Sequence, residues 1–209
     1  MPDQPLSFEL HNTEPLLVVI SGPSGVGKDA VVKALLERKD LSLHFVVTMN
    51  SRDPRPGEVE GQDYFFVSRE AFEAMIQKDE LLEYAKVYLD YKGIPKSQVR
   101  EALDSKKDVI IRVNVQGAKT LRRLCPDAVM IFLIPSNQQE WTDFLEKRGG
   151  ESEESLAVRR KALPYELSQL SEFDYVVVNA KGHLDKTVDT ITSILIAEHH
   201  RVIPRKVSL

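Results

Sequence analysis

A glycine-rich turn that follows directly on an apolar run constrains this chain more than any other feature: Leu16-Leu17-Val18-Val19-Ile20, then Ser21-Gly22-Pro23-Ser24-Gly25-Val26-Gly27-Lys28-Asp29. The spacing is G-x-x-x-x-G-K, and Ala30-Val31-Val32-Lys33-Ala34-Leu35-Leu36 after it has the pattern of a helix. A phosphate-binding loop sits at this kind of strand-to-helix junction. Glycines let backbone N–H groups turn inward around an oligophosphate, the helix N-terminus adds partial positive charge, and Lys28 reaches the β- and γ-phosphates. Gly22, Pro23, Ser24, Gly25, Val26, Gly27, Lys28 and Asp29 are thus the candidate cradle for a nucleoside triphosphate. Asp29 stands where such a loop ordinarily carries a Ser or Thr hydroxyl for Mg2+, and it has two readings: a first-turn carboxylate favoured by the helix dipole, or a hard oxygen ligand to Mg2+.

The 209 residues suit one α/β folding core. A net charge of -4 argues against a general nucleic-acid binder, and no apolar stretch approaches the roughly 20 residues that span a bilayer. Cys125 is alone, and the opening residues 1–14 resemble no targeting segment, so the expected compartment is the cytoplasm. Strand patterns at Leu16–Ile20, Leu43–Val47, Val109–Val113, Ala128–Leu133 and Tyr175–Val178 alternate with helix patterns at Lys28–Arg38, Ser97–Lys107, Ala118–Leu124, Gln138–Lys147 and Leu184–His199. That order predicts a parallel sheet flanked by crossover helices.

The expected organisation is a tail at 1–14, one domain at 15–199 and a loosely held basic tail at 200–209. Within the domain, the core comprises 15–47, 98–137 and 168–199; an insertion with its own small sheet occupies 48–97, and a lid occupies 138–167. Lys147-Arg148-Gly149-Gly150 supplies the lid with a polar, glycine-containing hinge. Arg122-Arg123 reads as a solvated helix face, His199-His200 as helix-end residues rather than metal ligands, and Trp141 and Tyr165 as packing groups.

The insertion carries Thr48-Met49-Asn50-Ser51-Arg52-Asp53-Pro54-Arg55-Pro56-Gly57-Glu58-Val59-Glu60-Gly61-Gln62-Asp63-Tyr64-Phe65-Phe66-Val67. Arg52 and Arg55, separated by a short Pro-containing turn, can aim both forks at one anion, with Tyr64 as a further donor. Taken alone the segment reads as a solvated loop with incidental charge; beside a phosphate loop, which needs an acceptor site, it reads as that site.

With these motifs in order, the chain resembles the guanylate kinase family, which transfers the γ-phosphoryl group of ATP to GMP. The phosphate loop, the S-R-x-P-R-x-G-E-x-x-G-x-D-Y-x-F block, Glu83-Tyr84-Ala85 and Gln116-Gly117 carry the resemblance, which runs from Pro15 to about Glu198. It implies a P-loop nucleoside monophosphate kinase fold with a GMP-binding insertion and a lid. It implies that Arg52, Arg55 and Tyr64 hold the GMP phosphate, that Thr48 and Glu83 contact guanine, and that Asn179 lies near adenine; Lys92 and Asn114 stand where the family has other GMP-binding side chains, Lys92 offering a charged donor to the phosphate and Asn114 a carbonyl acceptor. Lys28, Arg52, Arg148 and Arg159 are the implied catalytic charges, and Mg2+ travels with ATP. Guanine chemistry agrees, because its N1–H and N2 amino group are donors that a carboxylate such as Glu83 accepts.

Several positions depart from the family pattern. Asp90-Tyr91-Lys92-Gly93-Ile94 replaces N-Y-Y-G-[ST], Arg112-Val113-Asn114 replaces D-x-D, and Phe144 replaces a lid arginine. Asp29, the lysine-containing K-G-I-P and Arg112 are similar to the branch found in plant organelles. These departures keep two rivals in view: a non-catalytic module that uses the same cleft for protein recognition, and a kinase with a different acceptor.

Overall fold

The computed structural model describes residues 14–54, 57–87, 90–147 and 153–207. In chain order these form β1 (Leu17–Ser21), α1 (Lys28–Leu36), β2 (Leu43–Phe45), β3 (Met49–Asn50), β4 (Phe65–Phe66), α2 (Arg69–Gln77), β5 (Leu81–Val87) and β6 (Asp90–Pro95). There follow α3 (Lys96–Asp104), β7 (Asp108–Arg112), α4 (Val115–Leu124), β8 (Val129–Ile134), α5 (Gln138–Lys147), α6 (Glu153–Ser168), a short 3-10 turn, β9 (Tyr175–Val178) and α7 (Leu184–His199). The expected core strands are all present, Tyr175–Val178 with its expected bounds and the other four with a shifted end. β2 stops at Phe45, two residues short of its expected end, as the chain leaves the main sheet to enter the second one at Met49.

Five strands in the order β2-β7-β1-β8-β9 make one wholly parallel sheet. Such sheets are covered on both faces, which is why β1 is an unbroken apolar run rather than an alternating one. Leu16, Val18 and Ile20 pack with Val31 and Leu35 of α1 and with Val188, Ile191 and Leu195 of α7. Leu17 and Val19 pack on the opposite side with Val99, Ala102, Ala118 and Leu121 of α3 and α4. Because β1 and β7 run parallel, Ile20 and Arg112 lie side by side at their carboxyl ends, the edge where open α/β sheets receive ligands.

A second sheet, β4-β3-β6-β5, lies within residues 48–97; β3 runs parallel to β4 and antiparallel to β6, which pairs antiparallel with β5. Phe72 of α2 is fully buried and stacks on Tyr91 at 5.3 Å, tying the helix to this sheet. Ile94, a departure from the family pattern, is fully buried among Leu82, Val99 and Val46. At this position the structure calls for an apolar residue.

The C-terminal residues correct the expectation of a loose tail. Arg205 donates to both carboxylate oxygens of Glu198 at 2.8 Å and approaches Asp174 at 3.5 Å, while Val207 packs on the α3 and α4 side of the core. Glu198 is 1% exposed, and a carboxylate that deep requires a cation; the tail supplies it. Arg122 is likewise no solvated face, for it reaches Asp174 at 2.9 Å and the carbonyls of Glu172, Pro126 and Ala128. His199 pairs with Asp108 at 2.9 Å through Nε2.

Candidate active site

The phosphate loop leaves β1 at Ser21 and is shaped by close packing as much as by its own turn. Gly22 has φ +142°, and a Cβ there would stand 2.3 Å from the Leu133 carbonyl oxygen of β8, so no other residue fits. Gly27, at φ +88°, precedes α1, and a Cβ on it would stand 2.7 Å from Asn179 Nδ2. Asn179 donates to the Val26 carbonyl at 2.8 Å and accepts from Thr187 Oγ1 at 3.0 Å. Its amide therefore braces the loop from α7 and the end of β9. Lys28 folds across the loop, donating to the carbonyls of Gly22 at 2.8 Å and Pro23 at 2.9 Å.

Two further helices reach the same loop. Trp141 of α5 is buried and donates its indole N–H to the Ser24 carbonyl at 2.9 Å, and Arg159 of α6 donates to Ser24 Oγ. Glu166 of α6 takes the Ser24 backbone amide and faces Lys28 and Arg159. Burial raises its carboxyl above the usual range while those three groups pull it down, and Oε2 has no hydrogen-bond partner among the described residues. A carboxylate of the chain thus lies against the amide and lysine that suit a nucleotide phosphate.

The acceptor side is built from long side chains. Arg52 grips Glu58 through both guanidinium arms at 2.7 and 2.5 Å, and that partner holds its pKa above the usual arginine value. The Arg52 guanidinium also lies 5.4 Å from the Tyr64 ring centroid and 5.7 Å from that of Phe66. Lys92 donates to Tyr64 Oη at 3.3 Å with its ammonium 4.9 Å from the same ring. Arg52, Tyr64 and Lys92 are therefore brought together; Arg55 and Arg148 lie outside the described residues.

Thr48 and Glu83 are both buried, the latter on β5. The Glu83 carboxylate makes no hydrogen bond among the described residues, and desolvation pushes its pKa up to about 7. It lies against the first turn of α4, where a Cβ on Gly117 would meet Oε1 at 3.0 Å. Asn114 caps that helix, its side-chain carbonyl accepting from Gly117 N at 2.8 Å. The acceptor oxygen that the sequence offers to guanine is thus engaged with the backbone, and Asn114 fixes the turn that faces Glu83.

Asp29 projects from the first turn of α1 with Oδ1 2.5 Å from Arg112 Nη1. Among the described residues no three His, Cys, Asp or Glu side chains converge on one metal position.

A family model described as guanylate kinase matches residues 14–198. The chain belongs to the guanylate kinase family. It is 46% identical over 197 residues to "Guanylate kinase 2, chloroplastic/mitochondrial" of Oryza sativa subsp. japonica, covering 94% of this chain and 69% of the rice protein. It is 45% identical to the guanylate kinase of Clostridium tetani (strain Massachusetts / E88), covering 90% and 88%. In three dimensions it is similar to the crystal structure of guanylate kinase from Anaplasma phagocytophilum, with TM-score 0.73, 28% identity and coverage of 92% and 90%. The family's P-loop α/β fold accounts for the parallel sheet and its flanking helices.

Sequence reasoning missed Glu58 as the partner of Arg52, Glu166 as the carboxylate on the phosphate loop, and the pairing of Asp29 with Arg112. A signal existed for the last. Two departures of opposite sign, one after the loop lysine and one at the end of a neighbouring strand, are what an ion pair looks like in sequence.

Proposed function

We propose that this guanylate kinase family member transfers the γ-phosphoryl group of ATP to GMP, giving ADP and GDP, and accepts dGMP as well. The observation that carries the reading is the Glu83 carboxylate, buried and without a hydrogen-bond partner among the described residues. A buried acceptor of this kind calls for donors, and guanine presents two side by side where adenine presents an acceptor at N1. The family resemblance gives Thr48, which is also buried, to the same base. Arg52, Tyr64 and Lys92 hold the acceptor phosphate, which displaces Glu58 from the Arg52 fork, and the family resemblance adds Arg55.

On the donor side the amides from Gly22 to Gly27 receive the phosphates, and Lys28 swings from the Gly22 and Pro23 carbonyls to the β- and γ-oxygens. Asn179 acts by holding the loop in shape close to the adenine. Arg159, with Arg148, brings lid charge to the transferring group, and lid closure excludes water that would otherwise take the phosphoryl. Mg2+ carried by ATP would neutralise phosphate charge, with Asp29 as the residue that would hold it; a carboxylate offers about four acceptor positions, so the Arg112 pair does not exhaust it. No side-chain nucleophile is needed, since phosphoryl transfer rests on alignment and charge neutralisation. We assign the reaction to the cytoplasm, where the free, buried Cys125 thiol fits a reducing medium.

The test is ADP release from MgATP with GMP, dGMP, AMP, CMP or UMP, and without acceptor. Turnover limited to GMP and dGMP supports the reading; turnover with AMP overturns the role of Glu83. Folded protein that turns over none of them is a binding module instead.

A further inference from the structure

Three arginine side chains at the core are nearly buried: Arg122, Arg205 and Arg112, with 20%, 12% and 13% of the side chain exposed. A guanidinium carries five N–H donors, and burial requires that they be used. Arg122 reaches three carbonyls and Asp174, and Arg205 reaches both oxygens of Glu198, Asp174 and the Ala128 carbonyl. Arg112 makes a single hydrogen bond among the described residues, from Nη1 to Asp29. Its Nε and Nη2 make no hydrogen bond among the described residues, whereas every guanidinium nitrogen of Arg122 and Arg205 is engaged.

The position of Arg112 says what the missing partner is. It ends β7 beside Ile20, at the carboxyl edge of the sheet, and its guanidinium lies 5.6 Å from the Tyr64 centroid and 5.5 Å from that of Phe45. Tyr64 is therefore ringed by three cations, Arg52, Lys92 and Arg112. Such a cluster calls for an anion. Arg52 and Lys92 face Tyr64 from the insertion, whereas Arg112 also touches Asp29, the residue next to Lys28. One planar fork thus contacts both the start of the donor-side helix and the acceptor-side tyrosine.

We infer that Arg112 is a catalytic arginine shared by the two substrates: Asp29 holds one arm, and the remaining N–H groups bind the acceptor phosphate as it meets the γ-phosphoryl. This rests on the activity proposed above. An oxygen of the acceptor phosphate forms a bond to the γ-phosphorus, the bond from that phosphorus to the β,γ-bridging oxygen breaks, and ADP leaves with the electron pair. Both phosphates are anionic, and a guanidinium in contact with the acceptor lowers the repulsion that opposes their approach.

Arg112→Gln and Arg112→Lys test this through calorimetric binding of GMP alone and of MgATP alone, together with kcat. For Arg112→Gln the expected result is about tenfold weaker GMP binding and about a hundredfold lower kcat, with MgATP affinity within about threefold of wild type. Free guanidinium added to Arg112→Ala should restore part of the lost kcat, which a tether between β7 and α1 has no reason to show. GMP affinity and kcat within about twofold of wild type in Arg112→Gln overturn the inference, and so do equal losses for GMP and MgATP. If Arg112→Gln does not fold, Arg112→Lys decides: reduced kcat at an unchanged Tm supports the role, and wild-type kcat overturns it. Wild-type turnover with GMP reports on the activity itself, whereas the ratio of variant to wild type reports on Arg112, so the two failures are told apart.

Discussion

The two proposed phosphate sites are built in opposite ways. The donor loop is eight consecutive residues whose shape is set by backbone: a glycine pressed on a β8 carbonyl, a left-handed glycine before α1, and an asparagine amide on the Val26 carbonyl. The acceptor clamp is a set of long side chains, Arg52, Tyr64 and Lys92, brought together from a loop and from strands of a small sheet. In both, a carboxylate of the chain meets the phosphate-binding groups: Glu166 at the Ser24 amide and Glu58 in the Arg52 fork. Each site therefore receives its substrate by exchanging a carboxylate of the chain for a phosphate, the donor side within a backbone cradle and the acceptor side among long side chains.

The strongest way to break that contrast is Lys28→Ala, which removes the ammonium that folds across the donor loop. It should lower kcat about a thousandfold while leaving GMP binding close to wild type in calorimetry. A matching loss of GMP affinity would show that the two sites are one. Next in size, Arg52→Ala should weaken GMP binding about fiftyfold through loss of a bidentate charged contact, with MgATP affinity almost unchanged. Equal losses for both nucleotides contradict the division between clamp and cradle.

Acidity sharpens the contrast further. Burial pushes the Glu83 carboxyl up to about 7, and the proposed contact with guanine needs it ionised. GMP must then expel a proton below pH 7, so affinity should fall by up to about tenfold per pH unit on acidification and level off above 7. The second ionisation of the GMP phosphate, near about pH 6, pulls the same way; Glu83→Gln keeps only that part, and the difference in slope between pH 6 and 7 measures Glu83. Its effect on stability has the reverse sign. The folded state holds this proton more tightly than the unfolded chain, so the contribution is full below pH 4.5 and is lost as pH rises through 7. The smallest effect is expected at Asn179. Asn179→Ala removes the brace and should weaken MgATP about fivefold, with about 1 to 2 kcal/mol lost in urea unfolding.

The same contrast decides what could be read in advance. The donor loop is legible because its residues are adjacent and the glycine spacing is a local steric demand. The parallel sheet is legible for a similar reason: strands covered on both faces are written as unbroken apolar runs, as in Leu16–Ile20. The clamp was legible only where a motif was contiguous, from Arg52 to Tyr64. Glu166, more than a hundred residues from Ser24, has no local signal, because its partner is a backbone amide, which no sequence pattern records. Arg205 escaped for a different reason. A basic residue near a chain end reads as solvated until the buried Glu198 it neutralises is seen.

Finally, the strand order has a consequence for how the protein is made. β1 lies at the centre of the sheet, yet its neighbours are β7 and β8, and Leu16 finds Asp108 only 92 residues later along the chain. At about 5 to 20 residues per second, a ribosome needs roughly five to twenty seconds to deliver that partner. Throughout that interval the most apolar segment of the nascent polypeptide waits without a sheet to join. The same strand that carries the phosphate loop is thus the segment most in need of a chaperone's shelter during synthesis.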